Sequence, residues 1–246
     1  MRQSSTCKEI IVVDRFSEDG LPGFAKANGA TVITSGANRS GARNMGLHNT
    51  SSKGVLFIDA DMILPPTLIE ECESGLDEHD ALIIPEKSIG VGFWAECKAT
   101  ERAMHIGDEK MEAARCFRRE CLVSLGGYRD FLESGEDWDL HNRASASSLN
   151  IGRTNSFILH DEGRLSLSLL LRKEYHYGKS FGRYLRANPG VAYTQVNPLR
   201  RIVRPSLKAF FSAPKYGIGI LTMTSLEFAA AGLGHIAGDR GFGAPE

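Results

Sequence analysis

The chain predicts an α/β fold: a mostly parallel sheet flanked by helices, followed by a helical C-terminal extension that is basic and apolar. Two observations carry this prediction. Short apolar runs alternate with helix-like segments through the first two thirds of the chain, as they do where strands are joined by crossover helices. The charge then inverts: residues 1–163 hold 17 Lys and Arg against 26 Asp and Glu, whereas residues 164–208 hold 10 against 1. Two regions are therefore expected, a catalytic or binding domain over 1–163 and a helical extension over 164–246.

Taken in order, "EIIVVD" (9–14), "TVIT" (31–34), "GVLFID" (54–59) and "ALIIP" (81–85) are apolar and β-branched enough to be strands. Between them "SGARNMGLHN" (40–49) and "PTLIEECESGL" (66–76) have helical spacing, with Ser40 as an N-cap and Pro66 near a first turn. Farther on, "EAARCFRRE" (112–120) is expected as a strand, "GGYRD" (126–130) as a turn and "GEDWDLHNRASASSL" (135–149) as a helix. "RTNSFILH" (153–160) is expected as a last strand ending on His160. From Leu165 onward, leucines and aromatics interleave with cations, as in amphipathic helices at a surface. The later run 216–238 is apolar but interrupted by Glu227 and several glycines, so an interfacial or buried helix is expected rather than a membrane span.

Composition narrows the function. With 246 residues, 42% of them hydrophobic, the chain can build a substantial core. Its five cysteines include no C-x-x-C pair, which argues against a disulfide framework or zinc site and for a reducing compartment. No N-terminal run has the pattern of a signal peptide, so a cytoplasmic location is expected, with the basic tail against the cytoplasmic face of the membrane. The basic stretches come with no nucleic-acid-binding motif, and an anionic lipid surface is the expected partner, with self-association a further option.

Two acidic clusters could carry chemistry. Asp59 and Asp61 stand one residue apart beyond an apolar strand, at the sheet edge where α/β proteins bind ligands. Such a pair can hold Mg²⁺ or Mn²⁺ together with a diphosphate, and its plain alternative is a solvated strand-to-helix turn. Glu136, Asp137 and Asp139 open a helix, where carboxylates also serve simply to complement the helix dipole. An aspartate there could instead be a general base for an acceptor hydroxyl.

Four segments in this order resemble the inverting family 2 glycosyltransferases of GT-A fold: "VVDRFSEDG" (12–20), "RSGARNMG" (39–46), "FIDADM" (57–62) and "GGYRD" through "SGEDWDLHNR" (126–143). The resemblance spans about residues 9–160 and implies a role for each. Asp59 and Asp61 would hold the donor diphosphate and a Mn²⁺ or Mg²⁺ ion, Asp14 would lie near the nucleobase or ribose, and Arg39 and Arg43 would lie on the diphosphate side. Asp137 would be the base with Glu136 its neighbour, and His160 a further metal ligand. The implied reaction moves a sugar from a nucleotide diphosphate to a lipid-linked or glycan acceptor. The chain departs from the family in carrying Arg15 where a second Asp is common. It also starts after the family's usual first strand and helix, so part of the nucleotide pocket is expected to be missing. Two other readings remain open: a non-catalytic binding module of the same fold, and a D-x-D phosphohydrolase with Asp59 as nucleophile, for which Ile63 is the wrong following residue.

Overall fold

The computed structural model describes residues 3–5 and 7–241. In chain order the elements are β1 (Ile11–Asp14), α1 (Leu21–Ala27), β2 (Thr31–Thr34), α2 (Arg39–His48), β3 (Gly54–Leu56), β4 (Met62–Ile63), α3 (Leu68–Glu78) and β5 (Ala81–Ile83). There follow β6 (Glu86–Val91), α4 (Phe93–Ala103), β7 (Ala114–Arg118), α5 (Arg119–Ser124), α6 (Glu136–Ala146), β8 (Ile151–Arg153) and β9 (Ile158–Arg164). The rest is helical: α7 (Leu167–Ala187), α8 (Pro189–Gln195), a π-helical turn at Leu199–Val203, α9 (Arg204–Ser212) and α10 (Pro214–Gly241). Two compact units interleave in the sequence: residues 1–58, 65–84 and 114–156 form the first, and 59–64, 85–113 and 157–246 form the second.

In the first unit β1 and β2 pair in parallel, and a four-stranded sheet has the order β3-β7-β5-β8. The α/β class is as expected, but the pairing is mixed rather than mostly parallel: β7 runs antiparallel to both β3 and β5, while β5 and β8 are parallel. Leu47 of α2, Phe57, Phe117, Leu122, Tyr128 and Leu140 of α6 build the core of this unit. Phe57 meets Tyr128 edge to face, with ring centroids 5.1 Å apart.

Three local expectations change. Helix α2 is capped by Asn38, whose Oδ1 accepts from Gly41 N at 2.9 Å. Ser40 lies inside the helix, buried, and its hydroxyl donates to Leu132 O at 2.6 Å. The strand at 54–59 stops at Leu56, so both aspartates of the D-x-D run lie on a turn closed by Met62 N donating to Asp59 O at 3.2 Å. The strand expected over 153–160 is two strands, β8 and β9, broken at Thr154–Phe157. Glu71 causes the break: its carboxylate accepts from the backbone N–H of Asn155 and Ser156, each at 3.0 Å, and so takes donors that a continuous strand would use in a ladder.

The second unit contains all of the expected extension over 164–246 and adds a three-stranded sheet, β4-β9-β6, with α4. Cys97, Leu170, Ala209, Ile220 and Met223 form its core. Helices α7 and α10 approach closely through glycines: a side chain on Gly178 would strike Ala231 O, and one on Gly234 would strike Tyr175 O. By length and composition alone, Pro214–Gly238 could cross a membrane. All five cysteines are free thiols, and burial pushes the Cys97 thiol up to about 11.

Candidate active site

In the first unit the carboxylates at the start of α6 meet the basic face of α2. Gly135 at φ 75 lets the chain turn into α6, so that Glu136 and Asp137 occupy its first turn. Arg39 and Arg43 are four residues apart, hence on one face of α2. Arg43 Nη1 lies 3.2 Å from Glu136 Oε1 and 2.6 Å from Asp137 Oδ1, and Arg39 Nη1 lies 3.1 Å from the same Glu136 oxygen. Tyr128 adds a hydroxyl donor to Asp137 Oδ1 at 3.0 Å, and its ring lies under the Arg43 guanidinium, 5.1 Å from ring centroid to carbon.

Burial sets the electrostatics. Glu136 is 3% exposed, and desolvation followed by the Asp137 charge holds its carboxyl above the usual range, against the pull of Arg43 and Arg39. Burial and the Asp137 charge likewise hold the Tyr128 phenol well above its usual value, so it stays a donor. Asp137 keeps 25% of its side chain exposed, and its bonds to Arg43 and Tyr128 both fall on Oδ1.

The loop 126–135 that presents these groups is fastened to α2. Asn44 Nδ2 donates to Tyr128 O and Asp130 Oδ1, both at 2.7 Å, and its Oδ1 accepts from Tyr128 N at 2.8 Å. The fit requires Gly127, at φ +65, because a Cβ there would stand 2.5 Å from Asn44 Oδ1. Asp139 is fully buried and structural: Arg129 and Arg143 bind it at 3.0 and 2.9 Å, and Arg143 also donates to the carbonyls of Leu125 and Gly127, each at 2.7 Å. Asp14 is buried at the end of β1, where its Oδ2 accepts from Ser17 N at 3.1 Å and stabilises the turn at Phe16.

In the second unit, β9 pairs antiparallel with β4 in a register that sets His160 opposite Met62. Asp61, next to Met62, thereby meets the imidazole: His160 Nε2 is 3.1 Å from Asp61 Oδ2, and Nδ1 is 3.4 Å from Glu86 Oε2. The Glu86 bond, ahead of opposing burial, raises the His160 pKa. Arg102 faces Glu86 and Glu162 at 3.5 and 3.4 Å. Asp61 remains 53% exposed.

These residues fit a divalent cation. Asp61 and His160 bring together an oxygen and a nitrogen donor, the ligand types that Mn²⁺ accepts. No set of three or more His, Cys, Asp or Glu groups converges on a metal position among the described residues.

The structure thus brings Arg39, Arg43, Glu136 and Asp137 into one cluster and Asp61 and His160 into another. Sequence reasoning assigned no role to Tyr128, Asn44 or Glu86. Tyr128 and Asn44 lay within recognised segments, whereas Glu86 reaches His160 only through the pairing of β6 with β9, which leaves no trace in local sequence.

Two comparisons point to glycosyltransferases. Glycosyl transferase family 2 matches residues 1–120. No curated protein matches the chain by sequence. Among solved structures, the mannosyltransferase PcManGT from Pyrobaculum calidifontis, in complex with GDP-Man and Mn²⁺, superposes with a TM-score of 0.60 at 17% identity, over 93% of this chain and 77% of that one. TarS from S. aureus matches with a TM-score of 0.53 at 14% identity, over 97% of this chain and 50% of that one. TarS 1-349 in complex with UDP-GlcNAc gives 0.54 at 14% identity, over 97% and 85%. Residues 1–120, just under half of the chain, match glycosyl transferase family 2, and the chain is a glycosyltransferase with the GT-A fold.

Proposed function

We propose that this enzyme transfers a sugar from a nucleoside diphosphate donor to a hydroxyl or phosphate on a lipid-linked or glycan acceptor, with inversion at the anomeric carbon. The observation that carries the reading is the state of Asp137: the Arg43 guanidinium and the Tyr128 hydroxyl fix one oxygen, and the side chain keeps its exposure. Asp137 Oδ2 takes the acceptor proton as the acceptor oxygen bonds to the anomeric carbon and the bond to the diphosphate breaks, a single displacement. Arg43 and the Tyr128 hydroxyl keep Asp137 oriented, and Arg39 and Arg43 balance the charge of Glu136 beside it.

Asp59, Asp61 and His160 would hold Mn²⁺ or Mg²⁺, which when bound offsets charge on the leaving diphosphate. His160 must lose any proton on Nε2 to serve as a ligand, so cation binding should release protons. PcManGT and TarS, solved with GDP-Man and UDP-GlcNAc, support a nucleotide-sugar donor. The five free thiols support a cytoplasmic location.

The test is Asp137→Asn. Donor binding by calorimetry, across a panel of UDP- and GDP-sugars, should match wild type while transfer falls by about 10²–10⁴-fold. Transfer within threefold of wild type would remove Asp137 as the base.

A further inference from the structure

Helices α9 and α10 of the second unit leave an apolar face in solvent. Leu207 and Phe211 of α9 are 53% and 85% exposed, and Ile218, Leu221, Leu233 and Ile236 of α10 are 59%, 47%, 63% and 53% exposed. On a 3.6-residue helix the four α10 side chains fall within one side, spread over about five turns. Between the two helices runs an apolar groove of about 230 Å³, lined by Val203, Leu207, Phe210 and Leu221 among others.

Charge is excluded from this face and collected beside it. Between Lys215 and Asp239 the only Lys, Arg, Asp or Glu is Glu227. That carboxylate is turned inward, 6% exposed, and is paired with Lys98 at 3.1 Å. Arg204 and Lys208, one turn apart on α9, and Lys215 at the start of α10 are exposed. An uncharged face bordered by cations matches an anionic lipid surface. A second copy of the same face would set like charges against one another.

We propose that this face docks on an anionic membrane with α10 lying in the plane of the interface. A spanning orientation is disfavoured by α7. The glycine contacts seat α7 along the C-terminal half of α10, from Ala231 to Gly238, and α7 carries the exposed Lys173 two residues before the Tyr175–Gly234 contact, where a spanning α10 would draw it into the hydrocarbon. Of the cations in this region, Arg200 is held by Asp108, with Nε 3.0 Å from Oδ2, so Arg204 and Lys208 are the ones to test. The inference is independent of the transferase reading.

The experiment is co-sedimentation of the full chain with phosphatidylcholine vesicles, with and without phosphatidylserine. Binding should rise with phosphatidylserine and fall with added salt. Leu233→Glu with Ile236→Glu should lower the partition coefficient at least tenfold, and Arg204→Glu with Lys208→Glu about tenfold with loss of the salt dependence. Both pairs lie on the surface, and unchanged circular dichroism and donor binding would show that the fold is intact. The proposal is overturned if wild type ignores phosphatidylserine vesicles at low salt, or if the Leu233/Ile236 variant binds them as well as wild type. It is equally overturned if sedimentation velocity shows a dimer that the same variant dissociates while vesicles bind neither protein.

Discussion

The two units hold their candidate site carboxylates in opposite ways. In the first, Glu136 is almost fully buried and Asp137 partly so, and the permanent cation Arg43, itself 9% exposed, bridges both. In the second, Asp61 is half exposed and its recorded partner is His160, whose charge depends on pH. A carboxylate fixed by a permanent buried cation keeps its place through a catalytic cycle. One held by a titratable imidazole at an exposed edge can exchange that partner for a metal ion. The first arrangement suits a base that must be aimed, and the second a cation that arrives with the donor.

The largest test of this contrast is Arg43→Ala. It leaves Glu136 buried beside Asp137 with only the 44% exposed Arg39 as a counter-charge, and should cost about 3–5 kcal/mol in chemical denaturation. Adding Glu136→Gln should restore part of that loss, because the uncompensated charge is then gone. If Arg43→Ala alone costs no more than a surface pair, about 1 kcal/mol or less, the buried bridge is not what holds the cluster.

A middle-sized effect is expected where the loop is fastened to α2. Gly127→Ala forces a side chain into left-handed backbone and against Asn44 Oδ1, and should cost about 2 kcal/mol. Transfer should fall further than donor affinity, since Tyr128 and through it Asp137 lose their setting while Asp59 and Asp61 do not. Equal losses of both would show that the loop serves the donor as well.

The smallest stability effect belongs to the second unit. Asp61→Asn removes an exposed ion pair and should shift unfolding by at most about 0.5 kcal/mol. Mn²⁺ binding in the presence of a nucleoside diphosphate should nevertheless weaken at least tenfold by calorimetry, with fewer protons released on binding. Unchanged Mn²⁺ affinity would take Asp61 out of the metal site and leave the contrast between the units without its functional half.

By itself the sequence determined several of the elements and offered the candidate reactive groups. β2 at 31–34 is found where its β-branched run places it, and the paired aspartates do follow a strand, though one that is only partly buried, because strand pattern and the start of α6 are set by neighbours in the chain. Only the tertiary structure decided what the charges face. Arg43 and Asp137 are 94 residues apart, and Asp61 and His160 are 99 apart. The family resemblance assigned Arg39 and Arg43 to the donor diphosphate, yet both guanidiniums also bind the carboxylates of α6. The physical reason is that an ion pair has no sequence period. Its partners are chosen by strand register, as between β4 and β9, and by which helix faces pack, and in a mixed sheet neither follows from local spacing.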